Sequence, residues 1–339
     1  MSECPLPSDS SECVTLAHGG GGVASQRLLE QLFYPAFANP LLDQRHDGAM
    51  FDVGEGRLAF TTDMHVIRPL FFPGGDIGAL SVIGTLNDLA MCGAAPHSLS
   101  ASFVLEEGLP LATLRRVIDS MAAASKAAGA VIATGDTKVV ERGAADGLYI
   151  SCSGIGICRV GSEIGPHRIA VGDVLLVSGD IGRHGMAVMA AREAFAIEGL
   201  ESDLGLLWPQ VAALFDAGID IRCLRDLTRG GLAAAVSELA STAGVGVRID
   251  ETAVPVDAGV QSAAEILGLE PMHLACEGRM LAVVPEREAE RTLEVLQDFD
   301  TAAAHIGRFT RQQDLILEGA YGGERMLVLP AGELLPRIC

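Results

Sequence analysis

One pattern runs twice along this 339-residue chain, and nothing else in it constrains the fold so strongly: apolar segments of strand length alternate with long helical stretches, then begin again after a turn-rich link. Strand-like RLAFTTD (57–63) is followed by a helical stretch from Gly75 to Met91, strand-like SLSASFVL (98–105), a long helix from Pro110 to Ala128, and short strands around Val131 and Tyr149. The link GSEIGPHRIAVGD spans 161–173. Beyond it come VLLVSG, helices from Gly185, Asp203 and Gly231, strand-like GVRID, a helix from Asp257, strand-like MLAVV, a helix from Glu286, and closing strands that end near Leu329. Strands separated by helices rather than by tight hairpins predict an α/β or α+β layering, with helices on one or both sheet faces. A chain of this length, nearly half apolar, can bury two cores. The expected organisation is a leader with a glycine-rich segment and helix (1–40), a first domain (41–165), a second α/β domain (166–330) and a tail (331–339). The tail, AGELLPRIC, is too short for a packed element, and Pro336 opposes a helix, so it is expected to be mobile. The order of strands is not readable at this level.

Charge narrows the function. A net charge of -20 repels phosphate backbones and anionic lipid, so neither nucleic acid nor a membrane surface is expected as partner, and a polyphosphate ligand would need a metal escort. The first twenty residues lack a basic and apolar leader, and no later apolar run reaches bilayer length, which predicts a cytoplasmic protein. The eight cysteines are scattered, with no Cys-x-x-Cys and no zinc-finger spacing, and are read as reduced thiols. Of the 24 basic residues only Lys126 and Lys138 are lysines. Lys126 lies in an alanine-rich helical stretch, where an accidental lysine suffices as explanation. Lys138, in GDTKVV, is the better candidate for an ammonium that must give up its proton, which arginine does not do in practice.

Four aspartates stand in similar settings: Asp47 in RHDGAMF, Asp63 in TTDMHV, Asp88 in GTLNDLA and Asp136 in GDTKVV. One alone is an ordinary turn aspartate; four in one domain of an acidic protein suit magnesium, which takes hard oxygen ligands and shares them with substrate phosphates. The run His18–Gly22 before a helix offers backbone N–H groups to an anion, with a flexible linker as the equal alternative. No Gly-Lys pair occurs, so a P-loop is excluded. DLTRGGL (226–232) sets an acid, a hydroxyl, a guanidinium and two glycines ahead of a helix; either it receives an anion, or Asp226 or Thr228 caps the helix. Glu277, in ACEGR, is by itself either a solvated loop acid or a base.

Together these segments resemble the HypE family of hydrogenase maturation proteins, within the aminoimidazole ribonucleotide synthetase-like superfamily of ATP-binding enzymes. The resemblance runs along essentially the whole chain. It is carried by AHGGGG, FTTDMHVIRPLFFPGGDIG, GTLNDLAMCGA, LEEGLP, GDTKVVERGAADG, VLLVSGDIGRHG, DLTRGGL, ACEGR and the terminal PRIC; the first-half motifs belong to the superfamily, and PRIC points to this family. The resemblance implies two α/β domains, the first forming a homodimer whose interface holds ATP and Mg2+. It implies that a carbamoyltransferase, HypF, places a carboxamide on the thiol of Cys339, that ATP drives its dehydration to an S-cyanide, and that a HypC–HypD scaffold complex receives the cyanide for the iron of a nickel-iron hydrogenase. It further implies Cys339, Lys138 and Glu277 as catalytic groups and Asp47, Asp63, Asp88 and Asp136 as metal ligands. Contacts to ATP or its phosphates fall to His18, Gly19, Gly20, Gly22, Asn87, Thr137, Lys138, Asp226, Arg229, Gly230 and Gly231.

The chemistry agrees with the residue types. Phosphorylating an amide oxygen turns it into a leaving group, and loss of that phosphate with the nitrogen-bound proton leaves a carbon–nitrogen triple bond; such transfers rest on positioning and charge neutralisation. On position alone a terminal cysteine is usually an accident, yet a thiol on a tail can be loaded by one protein and can enter its own active site. Two departures from the family pattern stand out: His46-Asp47 replaces two adjacent acids, and Cys92 follows the Asn-Asp motif in place of the usual small residue. The rival readings are a sister enzyme of the superfamily, such as selenophosphate synthetase, with Cys13 near the glycine run, or a nickel or iron chaperone, for which the clustered soft ligands are missing.

Overall fold

A computed structural model of the chain describes residues 14–20, 22–159, 163–193, 197–330, 335 and 337–339. Cys13, Gly332 and Pro336, on which parts of the sequence reading fall, lie outside the described residues. The chain enters through α1 (Val23–Leu28), a π turn (Leu29–Phe33) and α2 (Tyr34–Ala36). The first domain holds β1 (Ala49–Val53), β2 (Gly56–His65), the short β3 (Phe71–Phe72) and β4 (Gly75–Asp76), α3 (Ile77–Met91), β5 (Ala94–Glu106), α4 (Leu111–Ala128), β6 (Val131–Val140) and β7 (Leu148–Cys158). Five of these strands form one sheet, ordered β1-β2-β7-β5-β6, in which β5–β6 is the parallel pair.

The two-residue period of β2 sorts its side chains. Ala59, Thr61 and His65 turn inward, while Phe60, Thr62 and Met64 turn outward. The inner face packs on α3, a helix apolar on all sides and buried almost throughout, because the second domain covers the side that the sheet leaves open. Asp76 caps α3 by accepting from the N–H groups of Gly78 and Ala79. On α4 the buried positions Val117, Met121, Ala124 and Ser125 recur at helical spacing and face α3.

The second domain comprises β8 (Val174–Val177), α5 (Arg183–Arg192), α6 (Trp208–Asp216), β9 (Cys223–Asp226), α7 (Gly231–Ala243), β10 (Gly246–Asp250), α8 (Ala258–Leu267), β11 (Met280–Val284), α9 (Ala289–Gln297), β12 (Ala304–Thr310), β13 (Leu315–Glu318) and β14 (Glu324–Met326). Its seven-stranded sheet runs β14-β13-β10-β12-β8-β11-β9, with β10–β13 parallel. Every residue of β8 and β11 is buried, since helices cover both faces. Leu175, Val177, Leu281 and Val283 pack with Leu232, Val236 and Leu239 of α7; Leu176, Ala282 and Val284 pack with Val211 and Leu214 of α6 and Leu296 of α9. The first domain's core continues into α5 and α8 through Met186, Val188, Val260 and Ala264, and takes in Leu335 and Ile338 of the tail.

The layered α/β reading holds, with three corrections of detail. The helix expected from Asp203 begins at Trp208, the preceding residues having no regular secondary structure. Four short strands, β1, β3, β4 and β9, were not anticipated. Asp88, read as standing in a setting like that of the other three aspartates, lies instead in the last turn of α3.

Candidate active site

A cavity of about 620 Å³ opens between the two domains, roofed by α1 and the π turn. Three carboxylates meet in it: Asp47 from the loop before β1, Asp88 from the end of α3 and Asp226 from the end of β9, with one oxygen of each lying within 4.8 Å of the others. Thr61 Oγ1 donates to Asp88 Oδ2 at 2.7 Å, and Arg225 Nη1 sits 2.9 Å from Asp47 Oδ1 while its other arm reaches Glu238. Burial, reinforced by Asp63, Asp226 and Asp47, pushes Asp88 well above the ordinary carboxylate range. Burial and then Asp47 push Asp226 up to about 8, with Arg225 acting in the opposite sense. Asp47 Oδ2 is buried without a hydrogen-bond partner. Converging oxygens, mutual repulsion and an orphaned carboxylate atom fit a hard divalent cation such as Mg2+, held by Asp47, Asp88 and Asp226.

Beside this cluster Asp63 and His65, two apart on β2, and Glu277 converge on the bare flank of α3 at Gly84. A Cβ built there would lie 3.3 Å from His65 Nε2, 3.6 Å from Asp63 Oδ2 and 3.8 Å from Glu277 Oε2. Glu277 is buried, its Oε1 has no hydrogen-bond partner, and burial followed by the charges of Asp226 and Asp63 raises it well above the ordinary range. Its loop is pinned from behind, because Asp203 Oδ1 accepts the Glu277 N–H at 3.2 Å. Arg229, which also lines the cavity, donates to Gly19 O at 3.1 Å and so ties the glycine segment to the second domain.

Cys339 lines the same cavity. In this structure the described tail residues bond to the first domain: Val66 N–H donates to Cys339 O at 3.0 Å, Arg68 N–H to Arg337 O at 3.2 Å, and Arg337 Nε back to Val66 O at 2.8 Å. Ile338 is buried in the core shared by the two domains.

The structure therefore brings together His18, Asp47, Asp63, Asp88, Asp226, Arg229, Glu277 and Cys339. Asp136, Thr137 and Lys138 are not among them. They lie on β6, exposed at the edge of the first sheet, where Lys138 Nζ is 2.7 Å from Asp136 Oδ2 and a second hollow of about 660 Å³ opens against α4. Asn87, read as a phosphate contact, does not line the cavity: its Nδ2 donates to Gly205 O and Glu277 O, and its Oδ1 accepts from Leu207 N–H, so its polar atoms bond to the second domain. Gly230 and Gly231 likewise have a local reason. Both have positive φ, and a Cβ on Gly231 would meet Leu274 O at 2.6 Å; neither Asp226 nor Thr228 caps α7. Gly20 and Gly22 do not line the cavity, and His18 Nδ1 bonds back to Thr15. His65, Arg225 and Glu238 were missed. The two-residue strand period places His65 beside Asp63 and was the available signal for it.

Residues 45–158 match the family model described as AIR synthase related protein, N-terminal domain, and residues 170–319 match its C-terminal counterpart. The carbamoyl dehydratase HypE of Azotobacter vinelandii is 46% identical over 344 residues, covering 100% of this chain and 100% of that protein. Two crystal structures are similar along the chain: a HypE–HypF complex, with 40% identity, a TM-score of 0.85 and 89% of this chain and 99% of that one covered; and a hydrogenase maturation protein HypE in complex with ATP, with 42% identity, a TM-score of 0.81 and 96% and 100% covered. With full-length identity at this level and both domain models matched in order, the chain belongs to the HypE family of carbamoyl dehydratases, two-domain enzymes of hydrogenase maturation.

Proposed function

We propose that this chain uses ATP to dehydrate an S-carboxamide carried on Cys339 to an S-cyanide, the source of the cyanide ligand of iron in nickel-iron hydrogenase. The observation that carries the reading is that Cys339 lines one cavity with the Asp47, Asp88 and Asp226 cluster, Glu277 and Arg229. The γ-phosphoryl group passes from ATP to the carboxamide oxygen, releasing ADP and leaving an S-bound imidate phosphate. Removal of its N–H proton and departure of phosphate then give the thiocyanate, the amide oxygen leaving in the phosphate. Magnesium, held by Asp47, Asp88 and Asp226, would neutralise the phosphate oxygens and escort ATP into a strongly acidic protein. Asp63 and Asp136 are proposed as further metal-side carboxylates. Arg229 and His18, which line the cavity, would meet the phosphates, with the glycine segment that Arg229 holds beside them. Glu277, whose proton affinity burial raises, suits the amide protons, with Lys138 as the other group that handles them.

Lys138 lies on β6, outside its own chain's cavity, so the reading includes a homodimer in which a second copy presents β6. Two features favour it. β6 is an edge strand exposed along its length, and the sheet's outer face carries apolar Phe60, Ile155 and Ile157, with Phe60 directly opposite Ile155. A HypF carbamoyltransferase as donor and a HypC–HypD complex as acceptor complete the proposal, in the cytoplasm; among the described residues no helix is long and apolar enough to cross a membrane. The test is intact-mass analysis of the C-terminal peptide after incubation with the carbamoyl donor. The carbamoyl adduct should lose the mass of one water with ATP and keep it without. An adduct that never forms on Cys339, or one unaffected by ATP, defeats the reading.

A further inference from the structure

We propose that α5 is the seat that sets the register of the tail, with His184 and Arg192 as positioning residues that hold the two carbonyls preceding that of Cys339. The proposal rests on Cys339 as the substrate-bearing group and adds what places its sulfur in the cavity. His184 is fully buried in the first turn of α5, its ring set edge-on to Phe72 at 5.3 Å between centroids. Its Nε2 lies 2.8 Å from Ile338 O and its Nδ1 2.8 Å from Ser202 Oγ. A carbonyl can only accept, so Nε2 carries the hydrogen; Nδ1 of the neutral ring then accepts from the serine hydroxyl. Burial holds the imidazole down at about 4, which keeps it neutral. Ser202 is fixed in turn by its N–H bond to Pro73 O at 2.9 Å.

Two turns further along the same helix, Arg192 Nη2 lies 2.8 Å from Arg337 O and 2.8 Å from Arg68 O. The carbonyls of Arg337, Ile338 and Cys339 thus each meet a placed donor: Arg192 with the Arg68 amide, His184, and the Val66 amide. Because this grip is on the main chain, it does not depend on whether the sulfur carries a thiol hydrogen, a carboxamide or a cyanide. The same helix is locked to the base-bearing loop, since Asp203 Oδ1 accepts both the His184 N–H at 3.1 Å and the Glu277 N–H at 3.2 Å. One buried carboxylate therefore couples the seat of the tail to Glu277.

The test is the rate at which iodoacetamide alkylates Cys339 in the full chain without ATP, read from the C-terminal peptide by mass. It does not require the enzyme to turn over. Loss of one held carbonyl should raise the open fraction of the tail, so His184→Leu and Arg192→Ala are expected to label about fivefold faster, and His184→Gln, whose Nε2 still donates, to stay within about twofold of wild type. Dehydration of preloaded carbamoyl-Cys339 should slow in the same order. Labelling of both His184→Leu and Arg192→Ala at the wild-type rate overturns the proposal, and so does His184→Gln matching His184→Leu. Should His184→Leu melt far below wild type, Arg192→Ala, at a partly exposed position, decides. Faster labelling of His184→Leu and Arg192→Ala, together with a wild type that never dehydrates its adduct, would leave the seat standing and refute the reaction instead.

Discussion

Asp88 and Asp226 keep their protons in the folded chain at pH values where an unfolded chain has released them, because burial and neighbouring carboxylates penalise the charge. The sign follows: their contribution to stability is complete below the unfolded value near 3.8 and is lost as pH rises through about 8 for Asp226. Buried His65 and His184 act oppositely below their unfolded value of 6.5, so the carboxylates stand alone above it. Without divalent metal the melting temperature should fall between about pH 6.5 and 8.5, and millimolar Mg2+ should remove most of that fall, as scanning calorimetry can check. Asp226→Asn should raise the metal-free melting temperature by about 2 °C, roughly 1 kcal/mol, while abolishing both stabilisation by Mg2+ and ATP turnover. Gly84→Ala separates stability from function. Alanine gains about 0.5–1 kcal/mol in a helix interior, yet its Cβ would crowd His65 Nε2 at 3.3 Å and fill the gap beside Asp63 and Glu277, so we expect an unchanged or higher melting point and turnover reduced about tenfold. The carboxylates of this site were legible as residue types in unusual segments. Their grouping was not: Asp226, read as a phosphate contact, joins Asp47 and Asp88, whereas Asp136, in a similar setting, lies on an open edge.

The element that organises the site is α3. Its last turn supplies Asp88, its middle supplies the bare surface at Gly84, and Asn87 fastens it to the second domain. Helices α3 and α4 were readable because an apolar run and a helical spacing both survive packing, and Pro110 and Gly129 mark the ends of α4. β9 escaped because four residues, CLRD, show no alternation, and β6, read as a short strand around Val131, runs on to Val140 because its exposed residues give no burial pattern to mark its length. Asn87 combines two donated bonds and one accepted bond, in a buried position. Asn87→Ala should therefore cost about 2–4 kcal/mol in urea unfolding, and it should also loosen the Glu277 loop, whose carbonyl loses a donor. If that variant unfolds like wild type, α3 is not the fastening between the domains.

At the scale of the whole molecule, one chain holds an incomplete set of the proposed groups. Glu277 and Cys339 line the cavity, while Lys138 stands on an exposed edge strand, on a sheet whose outer face leaves Phe60, Ile155 and Ile157 uncovered. An edge with unpaired backbone groups and an apolar face beside it calls for a partner surface, and a second copy of the same sheet would cover both at once. This makes a prediction that a self-sufficient monomer cannot meet. Lys138→Ala and Glu277→Gln chains, each inactive alone, should recover activity when mixed and allowed to exchange. Every mixed dimer then holds one cavity with an intact Glu277 and an intact Lys138 facing it. With random exchange half of the dimers are mixed and half of their sites are whole, so the mixture should reach about a quarter of wild-type dehydration. An Ile155→Lys change in both chains should abolish the recovery and give a monomer by sedimentation. Activity that never returns would place Lys138 inside its own chain's site, and a Lys138→Ala chain that is active by itself would remove it from the reaction.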